Sequence, residues 1–344
     1  VMVVYWICLT ALVVSPVRWV KAVAGLLVFG CLTWWGCSPR LWEEGKFARV
    51  TFLDVGQGDA TLIELPDGQT VVIDGGTTHE TFDMGQRVVA PFLWNQGIRR
   101  VDHVIGTHPQ LDHIGGLAWI LRSFEVGTYW SNGVLRHEAF AARVEHVVSA
   151  RHIPHVIAHT GMVIAEDRTC RLVVLNPPVE APDPIATDSG SVLNNRSIVT
   201  RLDCGPHAFL LTADIEQEAI RRVNESAPAR RVEVMKIPHH GSRGSLSPTW
   251  IETSRPQVAI VSVGRRNPYG HPAPSVLQAY ADIGARVYRT DRDGAVSVLA
   301  APDSQTVQVQ LGADARLQHI QGPSWFSVEE QDNLVRLWSR WTHR

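Results

Sequence analysis

An excess of positive charge is missing from this chain. Lysine and arginine together number 32 against 34 aspartates and glutamates, for a formal net charge of −2 over 344 residues. A protein coated in basic residues is thereby excluded, and any contact with nucleic acid has to come from a local patch or a metal. Zinc-finger spacing and an RNA-recognition motif are also lacking, which leaves no base-reading device in view. No clear internal repeat is visible. Cysteine is scarce, at five residues. Cys8, Cys31 and Cys37 lie in apolar segments or at their edge, whereas Cys170 and Cys204 sit in strand-like runs. A disulfide between the last two, in an oxidising compartment, and two isolated buried thiols are both compatible with this distribution. Disorder is excluded by the 45% hydrophobic and 19% charged content, and the length suffices for one large core or two smaller domains.

Two charge-free runs open the chain, "VMVVYWICLTALVVS" and "AVAGLLVFGCLTWWGCSP", separated by a short break that carries Arg18 and Lys21. Each is near the lower length limit for crossing a bilayer, and the missing initial methionine suggests a truncated first helix. A secretory signal would order its basic, apolar and cleavable regions differently. We therefore expect a transmembrane helical hairpin over residues 1–39, with buried core helices as the alternative. Arg18 and Lys21 would mark the cytoplasmic turn, placing the protein in an inner or plasma membrane with its soluble domain extracytoplasmic. A folded domain is expected over 49–300 and a C-terminal extension over 301–344, where "FSVEEQDNLVRLWSRWTHR" can form a short amphipathic helix against the domain or a membrane surface.

From Arg49 the pattern is that of an α/β domain. "VTFLDV", "ATLIELPDGQTVVID" with its Asp67–Gly68 turn, and "HVIGT" predict strands; helices are expected over roughly 84–96 and 134–150. A second strand series follows in "CRLVVLN", "SIVTRLD", "HAFLLTAD", "VEVMKIP", "QVAIVSV" and "RVYRT", with helices near 216–224 and 274–283. Two strand-rich halves with interleaved helices imply two sheets packed face to face and covered outside by helices. The stretch 177–190 reads as a turn-rich excursion.

Polar clusters fall at the strand ends. His108 follows "HVIGT", Asp112 and His113 come one short turn later, and Gly115 and Gly116 permit a tight turn into a helix. Imidazole and carboxylate at this spacing suit zinc or manganese. Asp214 ends one strand run, His239 and His240 follow another, and His271 a third; loops from a rigid sheet scaffold converge on one site in this way. For Asp214 a helix N-cap is the plain alternative, and for His271 a solvated loop histidine. Adjacent histidines cannot point the same way from an extended backbone, so one metal ligand and one neighbour are expected of His239 and His240.

"THPQLDHIGG", "LLTAD", "KIPHHGS" and "NPYGHP", together with "FLDVGQGDATLIELPDG" and "VVIDGG", resemble the metallo-β-lactamase superfamily, and within it the extracytoplasmic hydrolase domain of the ComEC/Rec2 family of DNA-uptake membrane proteins. The resemblance covers about Val50 to Leu299, and the preceding apolar segments look like the end of that family's membrane domain. It implies an α/β fold, the metallo-β-lactamase αββα sandwich, with one or two divalent ions at the sheet edges. It also implies that His108 binds the first ion, that Asp112, His113 and His240 bind the second, and that Asp214 bridges or completes both. His239 would lie nearby, His271 would be the late active-site histidine, and Asn195 and Ser197 a substrate-side loop. Gln110 departs from the pattern, where aspartate or histidine is expected. A neutral amide attracts a divalent ion less than carboxylate does and cannot match imidazole on zinc. A weak first site, a single firmly held ion, or a fold without turnover follow as the three outcomes.

The expected chemistry is phosphodiester hydrolysis by metal-activated water. Asp112, His239 and His271 are the catalytic candidates. Lys236, Ser242, Arg243, Arg265 and Arg266 are candidates for phosphate contact, and Tyr269 for stacking on single-stranded DNA. The expected partners are the DNA backbone, the membrane and the remainder of an uptake channel. A non-catalytic DNA-guiding module and a small-molecule ester or lactone hydrolase are the alternatives.

Overall fold

The computed structural model describes residues 6, 10, 14–37, 47–134, 138–179, 190–226, 231–312 and 317–320. The chain divides into two compact units, Val1–Glu44 and Gly45–Arg344.

In the first unit a helix spans Arg18–Cys37, 20 residues. Arg18 and Lys21 fall inside its first turn rather than in a break before it. The charge-free remainder is therefore shorter than the roughly 20 apolar residues a bilayer span needs. Among the described residues no helix is long and apolar enough to cross a membrane. The expected transmembrane hairpin is corrected accordingly, and the membrane localisation with an extracytoplasmic domain falls with it. Most of the first apolar run lies outside the described residues, as does the C-terminal segment from residue 321 onward.

The second unit carries two sheets. The nine-stranded sheet runs, in spatial order, Leu317–Ile320, Val307–Leu311, Val296–Ala300, Ala48–Phe52, Thr61–Glu64, Thr70–Ile73, Arg100–Gly106, Glu125–Ser131 and His155–Ile157. It is antiparallel up to Thr70–Ile73 and parallel beyond. The seven-stranded sheet runs Arg286–Arg289, Val258–Val261, Val234–Lys236, His207–Leu211, Val199–Cys204, Cys170–Asn176 and Val163–Glu166. Here the first four strands are mutually parallel and the rest antiparallel. The nine-stranded sheet thus continues past Ala300 through two further strands.

Strict alternation along the strands makes the layers. Phe52, Ile63, Val71 and Ile73 face Leu172, Phe209, Val234 and Ile260 in the core between the sheets. Their neighbours Leu62 and Val72 face the opposite way, under the helices Ala90–Asn95, Leu117–Ser123 and Ala139–Ala150. Leu210, Met235 and Ala259 likewise back onto the helices Gln217–Ser226, Pro248–Ser254 and Pro274–Asp282. A side-chain period of two is what directs each strand's residues to two different cores, and the product is the αββα sandwich that the sequence implies. A disulfide joins Cys170 and Cys204, which face each other in register on adjacent strands.

Parallel strands must return through crossovers, so their loops collect at one end of each sheet. The loops following Arg100–Gly106, His207–Leu211, Val234–Lys236 and Val258–Val261 carry the polar residues that matter below.

Candidate metal centre

His108 leaves the strand Arg100–Gly106 and is buried, while Asp112 and His113 sit on the one-turn helix Leu111–Ile114. That helix is crowded by a glycine loop from the same sheet. A Cβ at Gly58 would lie 2.2 Å from the carbonyl oxygen of Asp112, and the residue has φ +133°, a combination only glycine tolerates. The close approach lets the Asp59 backbone N–H donate to the Asp112 carbonyl at 3.1 Å and brings the buried Asp59 side chain into the centre.

The second sheet contributes Asp214 after His207–Leu211, and His239 and His240 after Val234–Lys236. Both histidines have left-handed backbone, φ 48° and 52°, so the chain is not extended there. Such conformations cost about 1–3 kcal/mol each and persist where surrounding structure fixes them. The turn aims His240 inward. His239 stays beside it, with Nδ1 3.2 Å from Glu216 Oε1 and Nε2 3.8 Å from Asp214 Oδ2.

Three imidazoles share one orientation. His113 Nδ1 donates to Asp74 Oδ2 at 2.7 Å, and His240 Nδ1 donates to the Ser262 carbonyl at 2.8 Å. Thr107 Oγ1 donates to Asp74 Oδ2, so it accepts from His108 Nδ1 at 3.1 Å. Each Nδ1–H being spent, each Nε2 turns to the centre, and the Nε2 atoms of all three are buried there without a well-formed hydrogen bond. Asp214 Oδ2 lies 3.2 Å from both His113 Nε2 and His240 Nε2, and Asp112 Oδ2 is 3.5 Å from His240 Nε2. Buried polar atoms left without partners are rare and costly, and this set has the composition and spacing of a divalent-ion site. The ligand atoms of His108, His113 and Asp214, and those of Asp112, His113 and His240, lie within 4.8 Å of one another; so do those of two further sets built on Asp59.

Electrostatics fits the same arrangement. Burial pushes His108 down to about 3, keeping it a neutral donor. Burial opposes a charge on His240 too, but Asp214 and Asp59 overcome it and raise the group to about 10. His113 is raised well above its usual value against the same burial cost, chiefly by Asp214 and Asp74. Asp112 and Asp214 are held below the carboxylate range despite burial by His113 and His240. Metal-free, the centre is a knot of imidazolium–carboxylate pairs whose protons a metal must displace.

The remaining expected residues are placed as follows. Gln110 Nε2 donates to Asn194 Oδ1 at 2.7 Å, and Asn194 Nδ2 donates to Glu216 Oε1 at 3.0 Å, so the amide is tied through Asn194 to the Glu216 carboxylate. Asn195 points elsewhere: its Oδ1 accepts from the backbone of Glu216 and Ala219 and caps the helix Gln217–Ser226. Ser197 is fully buried. Ser242 Oγ accepts from Gly244 N within its own turn. Lys236 is not an exposed phosphate contact but is 3% accessible, with Nζ 2.5 Å from Asp59 Oδ2. Arg243, Arg265 and Arg266 are exposed, Arg265 being held through Nε to the Asp291 carbonyl at 2.9 Å. His271 lies ring to ring with His239 at 5.7 Å, and the exposed Tyr269 stacks on His271 at 5.8 Å and 20°. Burial pushes His271 down. Asp59, Asp74, Asn194 and Glu216 belong to the centre although the sequence reading gives them no role; the two aspartates stand beside glycines next to strands, and a place next to a strand is also what marks Asp214.

This four-layer sandwich with its donor set at the sheet edge is the metallo-beta-lactamase fold, and residues 53–183 match the family described as Metallo-beta-lactamase superfamily. The chain is 31% identical over 270 residues to "ComE operon protein 3" of Bacillus subtilis, covering 75% of this chain and 33% of that protein. It is 29% identical over 286 residues to "Recombination protein 2" of Haemophilus influenzae, covering 82% and 32%. To "Competence protein ComA" of Neisseria gonorrhoeae it is 27% identical over 274 residues, covering 79% and 35%. The chain therefore spans about a third of the length of these relatives.

Proposed function

We propose that this domain is a metal-dependent hydrolase that cleaves the phosphodiester backbone of DNA in the course of DNA uptake, as part of a longer uptake protein. The observation that carries the reading is the convergence of three buried Nε2 atoms with the carboxylates of Asp112 and Asp214, contributed by both sheets. The competence and recombination names of the relatives support the nucleic-acid context. Zinc or manganese fits these donors, and a bound ion would supply an acidified water and a positive charge for phosphate. His239, held by Glu216, and His271 stand together on one side of the centre, placed to hydrogen-bond a phosphate oxygen or hold a proton for the leaving oxygen. Arg243, Arg265 and Arg266 attract phosphate without reading bases, and the exposed Tyr269 face accepts a base of a single strand.

One observation favours a second reading: position 110 offers an uncharged amide, engaged with Asn194, where the resemblance calls for a charged or imidazole ligand, as a non-catalytic DNA-guiding module would tolerate. Incubating the purified chain with single-stranded DNA and manganese or zinc decides between them. Cleavage without sequence preference is expected, with Asp112→Ala and His240→Ala each losing on the order of 100-fold or more and Arg265→Ala losing less. No turnover by the natural chain, with turnover appearing on Gln110→Asp, would establish the guiding module. Turnover indifferent to Asp112→Ala would refute the metal centre.

A further inference from the structure

Below the ligand cluster, Lys236 stands where a cation is needed and no ion has to bind. Its strand ends at the centre, the side chain is 4% accessible, and Nζ contacts Asp59 Oδ2 at 2.5 Å. The ammonium also donates to the Ala213 carbonyl at 3.1 Å and stands 3.8 Å from Asp214 Oδ1. Asp214 is thus divided: Oδ2 faces the imidazoles of His113 and His240, and Oδ1 faces the lysine. A cavity of about 10 Å³, lined among others by Asp59, Asp74, Thr107 and Lys236, adjoins the pair and has room for roughly one water. Asp59 takes part in two of the four residue sets able to hold a metal, with Asp214 and His240 in one and with Asp74 and His113 in the other.

We propose that the Lys236 ammonium is a resident cation of this centre, filling the deep carboxylate position at Asp59 and Asp214 and excluding a divalent ion from it. The proposal rests on the metal-centre reading and adds to it which carboxylates are open to an ion. Two unit charges about 4 Å apart repel strongly in a low-dielectric site, more so when one is divalent. An ion is therefore confined to the upper set of His108, Asp112, His113, Asp214 Oδ2 and His240. Without the ammonium, Asp59 would face only the imidazoles of His113 and His240, at 3.7 and 3.8 Å, which the bound ion itself claims, leaving a buried carboxylate that a second divalent ion could relieve.

Metal content and thermal unfolding of the full chain test this without reference to activity. Lys236→Met keeps most of the side-chain volume and removes the charge. The manganese-loaded variant should bind one ion more per chain than the natural protein by elemental analysis and titration. Its unfolding temperature should fall in EDTA and rise on adding manganese by more than that of the natural protein. Lys236→Arg should show no extra ion, and Asp59→Asn placed on Lys236→Met should remove the gained ion while restoring folding in EDTA. If Lys236→Met folds only with manganese present, the ion is replacing the ammonium and the proposal stands. If it fails to fold with or without manganese while the double variant folds, or folds with unchanged ion count, the proposal is overturned. A natural chain that binds no ion at all would refute the metal-centre reading instead.

Discussion

Asp214 is the residue on which the two sheets meet, because its oxygens are shared among His113, His240 and Lys236. The pairing fixes a pH signature for the metal-free protein. His240, at about 10 when folded against about 6.5 unfolded, contributes stability that is fully present below pH 6.5 and is lost as pH rises through 10. Asp214, depressed on folding, contributes stability present above about pH 4 and lost as pH falls through its folded value. Urea midpoints in EDTA should therefore decline between pH 6.5 and 10. With manganese the decline should shrink, because ligand deprotonation favours the ion; equal declines with and without it would argue against the imidazoles being ligands. Asp74 acts through His113, fixing which ring nitrogen carries the proton. Asp74→Asn should weaken metal affinity by about 10–100-fold in a titration, the usual cost of losing such a partner. The structure brings together His108, Asp112, His113, Asp214 and His240, which the sequence sets at the ends of strand-like runs or one short turn beyond them. Asn194 was not legible in the sequence: it adjoins Asn195 on one helical turn, where successive residues point about 100° apart, and sequence could not say which faces Gln110.

At the scale of elements, the centre depends on close approaches between loops more than on any single long helix. The Gly56–Gly58 loop lies against the helix Leu111–Ile114, and Gly58→Ala places a methyl group on the Asp112 carbonyl. That variant should lower both unfolding temperature and metal affinity; retention of full metal affinity would show that the loop does not set the position of Asp112. The disulfide ties two adjacent strands across a sequence separation of 34 residues. Replacing both Cys170 and Cys204 by alanine should cost about 2–4 kcal/mol in denaturant unfolding. The hairpin around Asp67 and Gly68 and the run Cys170–Asn176 were readable from alternation and turn chemistry. The strands Glu125–Ser131 and Val307–Leu311 were not, since the first interleaves glycine and polar residues and the second alternates with glutamine beyond a turn-rich stretch. Apolar run length suggested membrane spans in the first unit, whereas among the described residues no helix is long and apolar enough to be one.

For the whole molecule, two sheets of different strand order must pack face to face before a centre exists. Asp59, Asp74, His108, Asp112 and His113 come from one sheet, and Asp214, Lys236 and His240 from the other. Ion binding should therefore stabilise the sandwich as a unit, by RT ln(1 + [L]/Kd) for a ligand that binds only the folded state. The most direct measurement is an anomalous-difference map from crystals of this chain soaked in manganese. The account predicts a peak within coordination distance of the Nε2 atoms of His113 and His240 and the carboxylates of Asp112 and Asp214, with none between Asp59 and Lys236. A peak on Asp59 with the lysine displaced, or no peak at the imidazole cluster under saturating manganese, would contradict it.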